Sequence, residues 1–373
     1  MKEQVQTSIF KRHRNPNLGK VRPYIPGPTS ADVSAKYGIP IEKLVKLSSN
    51  EAPLGPSPSV REALKKAADS DDLHRYPSSA MPKLRAAAAQ AIGLLPEQIV
   101  LGAGSSDTWG MIIRAFSRPG DEVLAIEPSM TSYLEAAVLL EREPVEVIVK
   151  SPFEVTSQAV LKSVTARTRV VFLSSPNNTT SRLISPETIA LIAQGAPDAV
   201  IVVDEHYIEA TDRYRDVSAV RLIGELDNLL VTRSLSKMYG LAGLRIGYAA
   251  GPAEAIATVM SFKPKWNVSI IAEKAALATL AANDHLEANI KMTREGRSYL
   301  LAELSKLPVE VVPGAQGGFV LFKPRTRSGD EVTEGLFSRG YMVRGDLVKD
   351  HIRVSVGTPA QNQGFVQALA SLL

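Results

Sequence analysis

The stretch Val231-Thr-Arg-Ser234-Leu-Ser236-Lys237-Met-Tyr-Gly240-Leu-Ala-Gly243-Leu-Arg245-Ile-Gly247-Tyr248 gathers residue types whose spacing allows a specific chemistry. The apolar run from Asn228 to Val231 reads as a buried strand and Arg245 to Ala250 as the next. Between them lies a loop rich in Ser and Gly with Lys237 at its centre. An ammonium held between two core strands is poorly solvated and must be paired or neutralised. An imine formed with an aldehyde removes that charge. The hydroxyls of Ser234 and Ser236 and the guanidinium of Arg245 then suit a phosphate on the same molecule. An aldehyde and a phosphate on one cofactor describe pyridoxal 5'-phosphate. A basic surface loop with flexible glycines is the plainer reading, and the rest of the chain has to decide between them.

Three other places bear on that choice. Ile99 to Asp107 runs from strand into helix through Gly102-Ala-Gly104-Ser105-Ser106, and a glycine turn opening a helix exposes N–H groups to an anion. Ala199 to Val203 is a continuous apolar strand ending in Asp204-Glu205-His206-Tyr207. Strands of parallel sheets read this way, and ligands gather at their carboxyl ends. A carboxylate there can pair with a protonated pyridine nitrogen and let the ring draw electrons from a substrate carbon. Arg344 and Arg353 sit in a carboxyl-terminal stretch of alternating residues, where a guanidinium fork could receive a substrate carboxylate. No second histidine lies near His206 at ligand spacing, so no metal site is expected.

The loop resembles the lysine motif of class I/II aminotransferases, S-x-S-K-x-x-G-L-x-G-x-R-x-G-Y, and is nearest the histidinol-phosphate aminotransferase branch. Ser49-Asn50-Glu51, Val203 to Tyr207 and Ile352-Arg353-Val-Ser-Val-Gly357-Thr358 resemble further family motifs in order along the chain. The resemblance implies a fold-type I pyridoxal-phosphate enzyme of α/β class. A large domain would hold a mostly parallel seven-stranded sheet between helices, beside a smaller α+β domain and an amino-terminal arm. It implies that Lys237 bonds the cofactor and then moves the proton, that Asp204 meets the ring nitrogen, and that Tyr207 and Asn178 meet the phenolic oxygen. Ser105, Ser106, Ser234, Ser236 and Arg245 would hold the phosphate. Tyr76 would reach the phosphate of a second subunit, making a homodimer with shared sites. Arg353 would bind the substrate α-carboxylate, and Arg344, Asn50 and Tyr24, the last on a Pro-rich arm, would contact substrate. The implied activity is transfer of an amino group between an amino acid, or histidinol phosphate, and a 2-oxo acid.

The chain also departs from the family. Ala52 replaces an Asn, Ser78 an Asp, and Met130 stands where relatives carry an aromatic over the pyridine ring. Either Met130 packs on that face, or Tyr133 or His206 covers it. Asn178-Thr179-Thr180-Ser181 replaces N-P-T-G, losing a Pro and a Gly that shape the turn. His206 replaces an Ala and reads as a bystander, a substrate contact or an added base. The segment between Arg344 and Arg353 is shorter than in close relatives, which reshapes the pocket there. These departures keep two other readings open: a same-fold decarboxylase or O2-dependent amino-acid oxidase, and a binding protein that has lost catalysis.

The elements that must position these residues follow from pattern. Helices are expected at Ser59 to Ala68, Pro82 to Ile92, Ser269 to Ala282, His285 to about Lys306 and from Pro359. Strands are expected at Lys43 to Ser48, Asp121 to Ile126, Pro144 to Val149 and Arg169 to Leu173. Alternation at Gly318 to Lys323, Tyr341 to Val343 and His351 to Val356 predicts one small sheet. The expected division is 1–49 as arm and small-domain portion, 50–255 as the large domain and 256–373 as the small one. A chain of 373 residues, 45% hydrophobic, can bury the cores this requires. Its formal net charge of +4 is not gathered in one block, so nucleic acid is not an expected partner. It has no cysteine, no apolar run of about 20 residues and a polar, basic start without an apolar core. The expectation is a cytoplasmic enzyme without membrane partners.

Overall fold

The computed structural model describes residues 8–14, 16–20, 27–70 and 72–373. Tyr24 lies outside the described residues. The strands, in chain order, are Val45–Lys46 (β1), Ile99–Gly102 (β2), Glu122–Glu127 (β3), Glu143–Ile148 (β4), Thr168–Ser174 (β5) and Val200–Asp204 (β6). They continue with Leu229–Ser234 (β7), Gly247–Ala250 (β8), Val309–Val311 (β9), Phe319–Pro324 (β10), Tyr341–Met342 (β11) and Ile352–Ser355 (β12). Seven of them form the main sheet in the order β2-β8-β7-β6-β5-β3-β4. The pairs from β7 through β6, β5 and β3 to β4 are parallel, and β8 runs antiparallel to both β7 and β2. The expected mostly parallel seven-stranded sheet is what forms.

The sequence builds this sheet because its central strands are apolar on both faces. In β6, Ile201 and Val203 enter one core with Leu124, Val171 and Val231, while Val202 enters another with Val123, Phe172 and Ile112. Alternate residues face opposite sides of a strand, so an unbroken apolar run requires cover on both. Helices supply it. The helix Pro82–Ile92 has the expected bounds, and its terminal carbonyls are met by Gly93, which turns left-handed at φ 74°.

Two expectations are corrected. The run from Lys43 to Ser48 is strand only at Val45–Lys46, because Pro40 opens a 3-10 turn in which the Lys43 N–H donates to the Pro40 carbonyl at 2.9 Å. The carboxyl-terminal strands do not form one sheet. β10 lies between β9 and β12, all antiparallel, whereas β11 pairs in parallel with β1. The N–H of Val45 donates to Gly340 O and that of Leu47 to Met342 O, both at 2.8 Å. β11 has only two residues, and its backbone bonds are taken by the amino-terminal segment, so it joins that instead. Arg344 returns to the larger group through a single antiparallel bridge to Arg353.

Register fixes what lies side by side at the carboxyl ends. Ser174, Asp204 and Thr232 are neighbours across β5, β6 and β7, and Gly102, Gly247 and Ser234 across β2, β8 and β7. Gly247 lets the strand approach the helix Ser105–Phe116 closely: a Cβ there would lie 2.5 Å from the Ser105 nitrogen and 2.7 Å from the Arg233 carbonyl. Both are backbone atoms and cannot swing away. Gly247→Ala is expected to destabilise the fold by roughly 1–3 kcal/mol, the range for overpacking a well-filled site, read from denaturant unfolding.

Candidate active site

Asp204 ends β6 and is fully buried. Thr232 donates from Oγ1 to its Oδ1 at 2.8 Å, and Tyr133 donates from its hydroxyl to Oδ2 at 2.6 Å. His206 Nδ1 lies 2.7 Å from the same Oδ2. Burial pushes the His206 imidazole down, but the adjoining Asp204 carboxylate outweighs it and the net shift is upward. A carboxylate accepts at about four positions, so these neighbours hold it oriented while leaving room for one more donor. Tyr133 stacks on Phe172 at 4.8 Å and meets Trp109 edge-on at 4.5 Å. It is packed into the core behind the acid, which rules it out as cover for a ring held in front. Thr232 and the Tyr133 hydroxyl were not anticipated. A polar residue at the point where the apolar run of β7 ends, one strand from the acid, was the available signal for Thr232.

The residue between the acid and the lysine is Tyr207. Lys237 donates from Nζ to the Ser49 carbonyl at 2.9 Å and lies 5.4 Å from the Tyr207 ring centroid. Asn50 donates from Nδ2 to the Tyr207 oxygen at 3.1 Å, and that hydroxyl donates to Asn178 Oδ1 at 2.7 Å. Asn50 is itself fixed: its N–H donates to Ser355 Oγ at 2.9 Å, and Ser355 donates back to Asn50 Oδ1 at 2.7 Å. Burial pushes the Tyr207 phenol up, but the cations Lys237, His206 and Arg353 and the bond from Asn50 more than offset it, lowering the phenol to about 8. Met130 is partly buried, with its sulfur 3.9 Å from Asn178 Nδ2, so it stands beside the same group.

The altered turn after Asn178 keeps a backbone shape that its residues do not favour. Ser181 takes φ 66°, where glycine is at home. Its N–H donates to Asn177 O at 3.0 Å, its carbonyl accepts from Gln316 N at 2.7 Å, and its Oγ accepts from Gly317 N at 2.8 Å. Three hydrogen bonds offset a strain of about 1 kcal/mol. The change of turn expected from the loss of the Gly is therefore corrected at Ser181: two backbone bonds and one to its hydroxyl hold it there.

Ser234, Ser236 and Arg245 converge on the start of the helix Ser105–Phe116. Its N-cap is Gly104, which brings no side chain to its exposed N–H groups. A Cβ on Gly104 would lie 2.5 Å from Arg245 Nη2, so only glycine lets the guanidinium reach the helix end. Arg245 sits at φ 53° and donates from Nη1 towards Ser236 Oγ at 3.4 Å, while Ser234 Oγ accepts from the Ser236 N–H at 3.1 Å. Ser105 is buried and Ser106 exposed. A helix N-terminus, two hydroxyls and one guanidinium form a cradle for a phosphate. Asp107 accepts from Ala103 N and, at 2.7 Å, from Asn267 Nδ2. Next to Asn267, Trp266 stacks on Tyr76 at 4.6 Å, and Tyr76 is 79% exposed.

On the other flank, buried Arg353 donates from Nη1 to Asn178 O at 2.8 Å and from Nη2 to Ser48 O at 2.7 Å. It is thus tied to both loops that hold Tyr207. Arg344 makes a fork with Asp346, Nε to Oδ1 at 2.7 Å and Nη2 to Oδ2 at 2.8 Å.

The sequence was compared with known families and proteins. The family described as aminotransferase class I and II matches residues 42–369. The chain belongs to the class I and II aminotransferases. Histidinol-phosphate aminotransferase of Methanosarcina mazei is 35% identical over 93% of each chain, and that of Symbiobacterium thermophilum 34% over 95% of this chain and 97% of the other. The crystal structure of histidinol-phosphate aminotransferase from Sinorhizobium meliloti in complex with pyridoxal 5'-phosphate shares the fold, at TM-score 0.84 and 23% identity over 96% and 97% of the two chains. Aspartate aminotransferase of Thermus thermophilus superposes at TM-score 0.80 with 25% identity, over 96% of this chain and 99% of that one.

Membership brings transamination and its cofactor, pyridoxal phosphate, and nothing in these likenesses favours decarboxylation or oxidation. The aminotransferase's own residues fit the cofactor: the glycine-gated cradle takes a phosphate, Asp204 has an acceptor position to spare, and Lys237, a primary amine, follows Ser236 of that cradle. Among the described residues no group of His, Cys, Asp and Glu could hold a metal, and no helix is long and apolar enough to cross a membrane. The lowered Tyr207 phenol is testable in protein stripped of cofactor. Tyrosinate absorbance should rise through about pH 8, roughly two units below an ordinary tyrosine, and Tyr207→Phe should abolish that step.

Proposed function

We propose that this aminotransferase takes the amino group of an amino acid or of histidinol phosphate and passes it to a 2-oxo acid, in the cytoplasm and as a homodimer. When bound, pyridoxal phosphate supplies an aldehyde that receives the amino group and a ring that draws electrons from the donor's α-carbon. The protein's residues do the rest. Lys237 would hold the cofactor through Nζ and, once free, would take the donor's α-proton onto Nζ as base and give it back as acid. The Ser49 carbonyl, 2.9 Å from Nζ, keeps the amine at that spot. Asp204 would hold a proton on the ring nitrogen, with Thr232 and Tyr133 keeping the carboxylate aimed. Tyr207, joined by Asn50 and Asn178, would meet the phenolic oxygen, and Met130, beside Asn178, would pack on the ring. Ser105, Ser106, Ser234, Ser236 and Arg245 hold the phosphate. Arg353 receives the donor carboxylate, with Asn50, Arg344 and the undescribed Tyr24 around the substrate. The observation that carries this reading is the convergence of Lys237, Tyr207, Asn178 and Arg353 through the short segment Ser48 to Asn50.

The dimer rests on Tyr76, a largely exposed aromatic held against Trp266 beside the phosphate helix. A tyrosine presented outward from a cradle's rim is placed to enter a neighbour's cradle in a two-fold assembly. The division into an arm with small-domain portion (1–49), a large domain (50–255) and a small domain (256–373) belongs to the same proposal.

Two measurements test it. Borohydride treatment of protein loaded with pyridoxal phosphate should leave added mass on Lys237, and Lys237→Ala should lose at least about 1,000-fold in the half-reaction with its best donor, consistent with loss of base and nucleophile together. Mass on another lysine would refute the assignment. Each of Tyr76→Ala and Lys237→Ala should be weak or inactive alone. Mixed after dissociation, they should recover roughly a quarter of wild-type activity, since half the dimers then carry one intact shared site. No recovery would sink the shared-site dimer.

A further inference from the structure

Arg344 and Arg353 are neighbours across a bridge, yet their surroundings differ. Arg353 spends its bonds on the carbonyls of Asn178 and Ser48. Arg344 meets a carboxylate: Nε and Nη2 each donate to a different oxygen of Asp346. This is the parallel two-bond match that a guanidinium otherwise offers to a phosphate or a carboxylate ligand.

Arg344 stands at a cavity. A hollow of about 290 Å³ is lined by Arg344, Met342 and Val343 on one side and Lys46, Ser48 and Ser49 on another. Ser48 and Ser49 are the residues whose carbonyls hold Arg353 and Lys237. Arg344 is itself bridge-paired with Arg353, the proposed carboxylate receptor, so the fork stands beside the place a donor's side chain has to pass. Both of the hollow's cations carry an internal carboxylate, since Lys46 is paired with Glu51 at 2.9 Å. The Arg344 side chain is 15% exposed and Asp346 48%, so the fork is partly screened from water on the arginine's side. Burial pushes the Asp346 carboxyl up, but Arg344, with a further contribution from Arg353, outweighs this and holds it below the usual carboxylate range, so it is charged at neutral pH.

We propose that Asp346 is a specificity-determining residue, and that the Arg344–Asp346 fork makes this site take amino donors whose side chains carry no phosphate or second carboxylate. An anionic side chain entering the hollow meets a guanidinium whose two forward bonds are taken. It must displace Asp346 and then leave that carboxylate unpaired beside a like charge. A site can reject a ligand through such a repulsive element as well as attract through a matching one. An uncharged side chain leaves the fork intact. The link is short, with only Gly345 between Arg344 and Asp346, so the carboxylate stays within reach of the guanidinium. This inference rests on the aminotransferase reading and narrows its donor.

The test uses the loaded enzyme and matched donors that differ in the anionic group: histidinol with histidinol phosphate, glutamine with glutamate, and asparagine with aspartate. The half-reaction is followed by loss of the cofactor's long-wavelength absorbance. In the wild type the uncharged member of the best pair should have at least tenfold higher kcat/KM. Asp346→Asn should shift that ratio at least tenfold towards the anionic member, and Asp346→Glu should restore the wild-type preference. A merely structural role would lower both members alike and leave the ratio unmoved, which would overturn the proposal. So would a wild type that prefers histidinol phosphate, glutamate or aspartate, with or without a folded variant to compare. Absence of spectral change with every donor would sink the aminotransferase reading and this inference together, whereas a clear half-reaction favouring the anionic donor sinks this one alone.

Discussion

A carboxylate buried at the end of a strand is the constraint around which this molecule is arranged. An isolated charge at Asp204 would cost far more than a folded protein can spare, so it must be met by donors at every side but one. Thr232 donates from the next strand and Tyr133 from the helix after β3, while His206 Nδ1, two residues on, lies 2.7 Å away. Thr232 is in place only if β6 and β7 pair in their observed register. A slip of one residue would turn Thr232 to the opposite face and leave the acid without it. The chemistry and the register of the sheet therefore stand or fall together.

The second constraint is closeness. The phosphate cradle depends on Gly104 and Gly247 having no side chain, because Arg245 and the Ser105 nitrogen occupy those volumes. Lys237 is held by a carbonyl of the amino-terminal segment, and Arg353 by the carbonyl before it. That segment is pinned from the far end of the chain by Ser355, which exchanges hydrogen bonds with Asn50. Residues about 300 positions apart thus set one geometry. The departures from the family pattern fit inside the same frame. Ser181 keeps a turn that glycine would adopt more easily, at the cost of three dedicated bonds, and in return joins the Asn178 loop to Gln316 and Gly317.

Much of this was legible in the residues. An apolar run ending in Asp announces a strand of a covered parallel sheet with an acid at its ligand end, and the serine-lysine-glycine-arginine loop announces both an amine and an anion nest. The helix from Pro82 was bounded correctly because Pro at its first position and Gly after its last are local signals. Strand pairing was less legible. Tyr341–Met342 alternates as a strand should, yet alternation does not name a partner, and β1 took the place expected of β10 or β12.

By itself, then, the sequence determined the residue types of the site, the sheet's apolar strands and the family, because these depend on local spacing and side-chain chemistry. The tertiary structure alone decided that Tyr133 backs the acid instead of covering a ring, that Thr232 joins it, and that Arg344 is engaged by Asp346 while Arg353 is held by carbonyls. Which group a polar side chain meets is settled by segments that touch only after folding, and no spacing along the chain records that encounter.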